Sequence, residues 1–159
     1  IEAMPIIINK LGNIELLIIG NGEEEQNLKY LVQKKNLSKY VKFIPQVEHH
    51  KLVEYYNKSK LLIMPSLYEG LPKVLLESFA CGLPAVITTA CNAQKISINR
   101  AKIVRTKSSK LLAEAAIKIL KDKKKWMKFS LECRKIIDSK NWKTISNDIY
   151  LDYKQILNK

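Results

Sequence analysis

A chain of 159 residues is long enough for one domain with a sizeable core, and its 47% hydrophobic content excludes an intrinsically disordered protein. Its longest apolar runs, at 16–19 and 61–64, fall far short of the roughly 20 residues that span a bilayer, so no membrane span is expected. The net charge of +13 lies almost entirely in residues 95–159. Such a charge is compatible with nucleic acid, anionic lipid or an acidic polymer as a partner, but a lysine-rich solvated surface is the favoured interpretation, because charge alone names no partner.

The three cysteines and the first residue of the chain give two further expectations. Cys81, Cys91 and Cys133 are widely spaced and form no CxxC pair, which argues against a zinc site and against a disulfide framework. We therefore expect a cytoplasmic protein, at most peripheral at the inner face of the membrane. Because the sequence starts at Ile1 without a signal segment, we also expect it to be a piece of a longer protein whose start is missing.

Short apolar runs alternate with segments of helical periodicity along the first two thirds of the chain. The runs predict five strands, at 15–19, 40–44, 60–64, 85–88 and 102–105. Helices are predicted at 1–11, 23–36, 50–57, 73–81, 108–121, 124–138 and 142–157. This alternation indicates an α/β fold, with a Rossmann-like parallel sheet covered by helices on both faces and extra helices after the last strand. No repeat or linker divides residues 1–159, so one domain is expected.

Local signals place several helix ends. Gly12, Gly82 and the Asn36/Ser38 pair are typical of helix C-termini, where glycine or asparagine adopts a positive φ. Pro5 indicates that the first helix begins near it or is kinked there.

The segment 65–84 has the pattern of a strand, a tight loop and a helix, and ligands bind at this edge of parallel sheets. Gly70 permits a close backbone approach or a positive φ, and Pro72 suits a helix start. The amides of Lys73, Val74 and Leu75 would then point outward and hold phosphate oxygens, assisted by the helix dipole.

Two carboxylates flank this helix start. Glu69 lies in the loop and Glu77 follows Lys73 by about one helical turn, so both reach the space at the strand end, where carboxylates accept hydrogen bonds from sugar hydroxyls. On spacing alone, the alternative of a capping group plus a surface residue is favoured. His49 and His50, being adjacent, fit a partly exposed helix start and are assigned no catalytic role. The aromatic residues at helical positions fit the core better than a stacking platform; they are Tyr55, Tyr56, Phe79, Trp126 and Trp142.

The residues Pro65, Glu69, Gly70, Pro72 and Glu77, with the following Ala80-Cys81-Gly82 and Pro84, resemble the group 1 glycosyltransferase pattern. That group is family 4 of the retaining GT-B enzymes, and its signature is Glu, seven residues, Glu. The likeness continues upstream at 16–22 and 41–45, and downstream at 111–115 and 142–157.

The resemblance implies a role for each matching residue. Glu77 would bind the ribose hydroxyls, Glu69 the donor sugar as the catalytic-site carboxylate, and the amides of Lys73 to Leu75 the diphosphate. The backbone near Ile44 and Pro45 would flank the base, and Gly20 would belong to the same donor-binding edge. The resemblance further implies transfer from a UDP- or GDP-sugar to a glycan or lipid-linked acceptor, with retention and without a metal or other cofactor, in cell-surface polysaccharide or glycolipid synthesis.

Some family features are not found in this sequence. The family's donor domain opens with a strand and loop carrying an Arg and a Lys, and a separate N-terminal domain binds the acceptor; the chain begins after both. The segment 91–94 also replaces a Gly-Gly turn followed by Glu. The isolated chain is therefore expected to bind a sugar nucleotide but to be inactive alone.

Two other functions remain open on sequence grounds. One is a noncatalytic basic module that binds anionic membrane or nucleic acid through residues 95–159. With the family resemblance, nucleic acid is not expected as a partner and the membrane surface stays possible alongside sugar transfer. The other is a sugar-nucleotide epimerase with the same architecture, against which the Glu69 and Glu77 frame argues.

Overall fold

The computed structural model describes residues 1–138, 150 and 154 and has an α/β architecture. Its elements, in chain order, are α1 (Met4–Leu11), β1 (Leu16–Ile19), α2 (Glu25–Lys34), β2 (Val41–Ile44), α3 (His49–Lys58), β3 (Leu62–Met64), α4 (Lys73–Ala80), β4 (Ala85–Thr88), α5 (Gln94–Ser97), β5 (Ala101–Val104), α6 (Ser109–Leu120) and α7 (Lys123–Asp138). All five predicted strands are present, each within two residues of the predicted bounds. The predicted helix at 142–157 lies outside the described residues.

The strands form two parallel sheets. β1 pairs with β2, with Leu16 opposite Val41, and β3, β4 and β5 pair in that order, with Leu62 opposite Ala85. Both β1 and β3 are edge strands. The sequence predicted five parallel strands, but strand pairing depends on contacts far apart in the chain, so the division into two sheets was not predictable from local patterns.

Helices cover both faces of the three-stranded sheet. Because side chains alternate between the faces of a strand, each strand contributes residues to a core on either side. On β4, Val86 faces a core shared with α1 and α6, whereas Ala85 and Ile87 face a second core shared with α4 and α7. Every residue of β4 is buried. The prediction of a sheet covered on both faces is therefore confirmed.

The predicted helix ends are confirmed by backbone geometry. Gly12, Asn36 and Gly82 have φ values of 75°, 56° and 69°. At the end of α4, the amide of Gly82 donates to Phe79 and that of Leu83 to Ser78, the paired hydrogen bonds of a Schellman motif. α1 begins at Met4 with Pro5 in its first turn, so the proline marks a start and not a kink.

An apolar cavity of about 840 Å³ separates the two sheets. Its wall includes the whole of β1, residues 61–63 at β3, and Met4 and Ile7 of α1. Residues of β1 and β3 are only half-buried, in contrast to those of β4. Two unpaired strand edges thus line one space.

No helix in residues 1–138, 150 and 154 is long and apolar enough to cross a membrane. The predicted cytoplasmic location and the peripheral membrane association stay predictions.

Candidate functional site

The loop after β3 is tied to the end of β4 by hydrogen bonds. The hydroxyl of Thr88 donates to the carbonyl of Ser66 at 2.5 Å. The Glu69 amide donates to Ala90 at 3.1 Å, and the Asn92 amide donates to Glu69 at 3.0 Å, which forms a parallel bridge between Glu69 and Cys91. The sequence of the segment 91–94 differs from the family pattern. Its backbone nevertheless holds Glu69 in place through these hydrogen bonds.

Gly70 and Pro72 lead directly into α4. Gly70 does not have a positive φ, so of the two predicted alternatives only the close backbone approach remains, and a Cβ at this position would meet nothing within 4 Å. The space above Gly70 is therefore open for a close approach. Pro72 occupies the N-cap position, just ahead of the first helical residue, with an extended backbone.

One of the three amides predicted to point outward at the start of α4 is already hydrogen-bonded. The Leu75 amide already donates to the carbonyl of Pro72 at 3.1 Å, and Leu75 is fully buried, so the prediction that its amide is free is wrong. Lys73 and Val74 are the first two residues of α4 and are exposed, and helix-start amides have no carbonyl one turn earlier to bond. The amides of Lys73 and Val74 and the Lys73 side chain remain as predicted phosphate contacts at this helix start.

Glu77 is held by two side chains from α3. The Tyr56 hydroxyl donates to Oε2 of Glu77 at 2.8 Å, and Nε2 of His49 lies 3.1 Å from Oε1. Burial is the largest cause that raises the pKa of Tyr56, and the adjacent Glu77 carboxylate raises it further, so the phenol is protonated at neutral pH and acts as a donor.

The sequence did not reveal these two contacts. His49 was predicted only as a partly exposed helix start, which it is, and Tyr56 as a core residue. They are seven residues apart and therefore share one face of α3. The sequence spacing showed that the two residues share a face. It did not show that this face contacts α4.

A second group of predicted residues lies at the carboxyl ends of β1 and β2. The Gly20 amide donates to the Ile44 carbonyl at 3.0 Å, and Asn21 Oδ1 accepts from the Gln46 amide at 3.2 Å. Pro45 follows Ile44 and is exposed. The chain then enters α3 at His49. The contacts of His49 and Tyr56 with Glu77 on α4 therefore connect this group with the strand-loop-helix unit after β3.

An unpaired cysteine at a helix end is usually a small core residue, but Cys81 is not one. It is the half-buried C-cap of α4, and Cys91 and Cys133 are the buried cysteines. Burial is the first cause that raises the pKa of Cys81, and Glu77 adds to it while Arg134 opposes it. Phe79 is fully buried and Trp126 packs against the first core, as predicted; Trp142 lies outside the described residues.

Within the described part of the chain, no group of three His, Cys, Asp or Glu side chains is arranged to hold a metal ion. The expectation of metal-independent chemistry stays a prediction.

The glycosyl transferases group 1 family model matches residues 1–136. The chain belongs to this family. A relative over most of the chain is the GDP-mannose-dependent monoacylated alpha-(1-6)-phosphatidylinositol monomannoside mannosyltransferase of Corynebacterium glutamicum, 29% identical over 130 residues. That match covers 77% of the chain and 34% of the relative, so this group 1 glycosyltransferase chain spans about a third of the relative's length.

Solved structures have the same fold. The sucrose-phosphate synthase of Thermosynechococcus elongatus superposes with a TM-score of 0.83 at 24% identity, over 99% of this chain and 42% of that one. Anabaena HepE, solved in complex with UDP-glucose, gives 0.82 at 17% identity, over 97% and 44%. The predicted fold class, the C-terminal half of a GT-B fold, is confirmed.

Proposed function

We propose that the chain is the donor-binding domain of a retaining glycosyltransferase that uses a UDP- or GDP-linked sugar. The observation that carries the proposal is the arrangement at the end of β3. A loop carboxylate, Glu69, a helix start with two amides predicted to point outward, and a second, held carboxylate, Glu77, lie along one strand-loop-helix unit. A sugar nucleotide has hydroxyls on its sugar and on its ribose, with the diphosphate between them, which is the same order of chemical groups.

The proposed contacts follow from that order. Glu77 accepts from the ribose hydroxyls, Glu69 contacts the donor sugar, and the amides of Lys73 and Val74 face the diphosphate together with the Lys73 ammonium. Gly70 permits the ligand to approach the backbone, and Gly20, Ile44 and Pro45 lie on the base side. The names of one relative and one structural neighbour support the donor class: the relative is called GDP-mannose-dependent, and the neighbour was solved with UDP-glucose.

In the transfer reaction, the bond between the anomeric carbon and the diphosphate oxygen breaks and negative charge builds on the leaving group. Fixed dipoles and cations stabilise such charge. The acceptor oxygen bonds to the anomeric carbon on the face that the diphosphate leaves, and its proton passes to the departing phosphate. Glu69 and Glu77 therefore bind the donor and act as neither acid nor base. We propose a glycan or lipid-linked acceptor, a role in cell-surface polysaccharide or glycolipid synthesis, and no requirement for a metal.

Calorimetric titration with UDP-glucose and GDP-mannose tests the proposed function. We expect binding with a dissociation constant in the millimolar range or tighter, and a loss of about tenfold or more in the Glu77→Ala protein, because hydrogen bonds to a charged group contribute about 1.5–3 kcal/mol. Absence of binding at millimolar ligand, or equal binding by both proteins, would reject it.

We further propose that the cavity between β1 and β3 is filled, in the whole protein, by one more strand. Such a strand would pair with both edges and join the two sheets into one six-stranded sheet. We place this strand ahead of residue 1, and the acceptor-binding domain ahead of the strand, so that 1–159 is one incomplete domain. A protein extended upstream should then melt at a higher temperature than one extended by an equally long Gly-Ser segment; equal melting would exclude this arrangement.

A second function is favoured by the lysines on β5, α6 and α7. Burial lowers the pKa of Lys125, and the neighbouring charges of Lys102 and Lys118 lower it further while Asp122 raises it, so the ammonium groups repel one another and Asp122 offsets part of this repulsion. An anionic membrane surface would relieve this repulsion and can coexist with sugar transfer. Sedimentation with phosphatidylserine vesicles at low and high salt tests it; no binding at low salt would exclude it.

A further inference from the structure

The carboxylate of Glu77 is contacted on both oxygens by one helix. Tyr56 and His49, on the same face of α3, reach Oε2 and Oε1 respectively, at 2.8 and 3.1 Å. The side chain of Glu77 is 28% exposed, so most of it is shielded from solvent and part of it stays accessible. The carboxylate is therefore contacted by α3 on both oxygens without being fully enclosed.

A carboxylate with these two contacts can still accept further hydrogen bonds. An ionised carboxylate has about four acceptor positions, two on each oxygen. Tyr56 uses one position on Oε2 and His49 one on Oε1, which leaves one position on each oxygen. Two neighbouring hydroxyl groups of one ligand would fill these two positions, and the ribose of a nucleotide carries such a pair at its 2′ and 3′ carbons.

The two α3 contacts differ in strength. The phenol of Tyr56 is half-buried and, like any phenol of ordinary or raised pKa, is protonated at neutral pH, so it donates to Oε2 throughout the neutral range. The imidazole of His49 is 74% exposed, and solvent weakens an exposed contact. Tyr56 is therefore the stronger of the two restraints on the carboxylate.

We propose that Tyr56 and His49 are positioning residues of the donor site, which orient the Glu77 carboxylate so that it accepts both hydroxyls of a ribose. Helix α3 thereby determines the preference for ribonucleotides over 2′-deoxyribonucleotides. The inference rests on the proposed function, since it takes Glu77 as the ribose-binding carboxylate.

The test compares ribonucleotides with their 2′-deoxy forms. Dissociation constants are measured by calorimetry for UDP and 2′-deoxy-UDP, and for GDP and 2′-deoxy-GDP, with wild type and the Tyr56→Phe, His49→Ala and Glu77→Ala proteins. Tyr55→Phe is the matched control, because it removes a hydroxyl one position earlier on the same helix. Thermal unfolding of each protein establishes that it is folded.

We expect wild type to prefer the ribonucleotide of the pair it binds. Tyr56→Phe should weaken ribonucleotide binding by about tenfold and the 2′-deoxy form by less, since a hydrogen bond to a charged group is lost. The preference then shrinks. His49→Ala should reduce it by about two- to threefold, as expected for an exposed contact. Tyr55→Phe should leave it unchanged.

The outcomes separate this inference from the proposed function. If wild type binds none of the four nucleotides, or Glu77→Ala binds them equally well, the proposed function is wrong. If Glu77→Ala loses the preference while folded Tyr56→Phe and His49→Ala keep it, the proposed function stands and the role of α3 is wrong. If Tyr56→Phe does not fold, the exposed His49→Ala variant decides, because its preference either shrinks or stays.

Discussion

The two sheets of this protein differ in how completely their strands are buried. In the sheet of β3, β4 and β5, the central strand is entirely buried, and α4 and α7 close one face over a core that includes the fully buried Phe79. In the sheet of β1 and β2, every residue of β1 is half-buried and its free edge lines the 840 Å³ cavity. The three-stranded sheet therefore has a closed centre at β4 and one open edge at β3, whereas neither strand of the two-stranded sheet is fully buried.

This difference bears on the candidate site, because the site draws on both sheets. Glu69 and Glu77 are carried by the loop and helix after β3, in the half with the three-stranded sheet. The side chains that hold Glu77 come from α3, which follows β2 in the half with the two-stranded sheet. The position of Glu77 thus depends on both halves, and changes in either should reach the site.

The largest contrast is expected from removing one phenylalanine ring in each half. Phe79→Ala should lower the free energy of unfolding by about 3–5 kcal/mol, since it leaves a cavity in a fully packed core. Phe43→Ala, on half-buried β2, should lower it by about 1–2 kcal/mol, because less apolar surface is lost. Urea unfolding of both proteins measures the contrast. Equal losses would show that the two halves are packed alike.

A smaller effect is expected at the end of α4, where Gly82 has a φ of 69°. A Cβ there would lie 2.6 Å from Nε of Arg134 and 3.1 Å from Oγ of Ser130, both on α7. Gly82→Ala should therefore lower the free energy of unfolding by about 1–2 kcal/mol. Gly22→Ala, with open space around it and no positive φ, is the control and should change little. Thermal unfolding distinguishes the two, and similar melting temperatures would contradict the account of the α4–α7 contact.

The smallest effect is expected at a contact that reaches the edge of β3. The Trp126 indole on α7 donates to the Lys60 carbonyl at 2.6 Å. Trp126→Phe keeps an aromatic ring and loses this bond, so it should lower the free energy of unfolding by about 1 kcal/mol. Urea unfolding against wild type checks this value, with Tyr30→Phe, an exposed aromatic change, as the control. No loss beyond that of the control would mean that the bond does not stabilise the start of β3.

Much of the fold was predictable because its signals are local. Apolar runs marked every strand, and the glycine and asparagine positions with positive φ marked three helix ends. The helix α5 was missed, since four residues carry too little periodicity. The gap between β1 and β3 was missed because pairing joins residues far apart in the sequence.

The candidate site was predictable only in part, for the same reason. The loop and helix carrying Glu69 and Glu77 form one continuous segment, and the resemblance rested on it. The contacts of Tyr56 and His49 to Glu77 bridge 21 and 28 residues, and the bond that occupies the Leu75 amide depends on the exact start of α4. No local pattern reports either.

The two carboxylates also provide the most direct measurement. Calorimetry with UDP and UDP-glucose, or with GDP and GDP-mannose, is carried out on the Glu77→Gln and Glu69→Gln proteins, with Glu54→Gln, an exposed partner of Lys58, as the control. Glu77→Gln should weaken the binding of the nucleotide and of the sugar nucleotide by the same factor. Glu69→Gln should weaken the binding of the sugar nucleotide only. If both variants bind both ligands as the control does, the assignment of a donor site to Glu69 and Glu77 is contradicted.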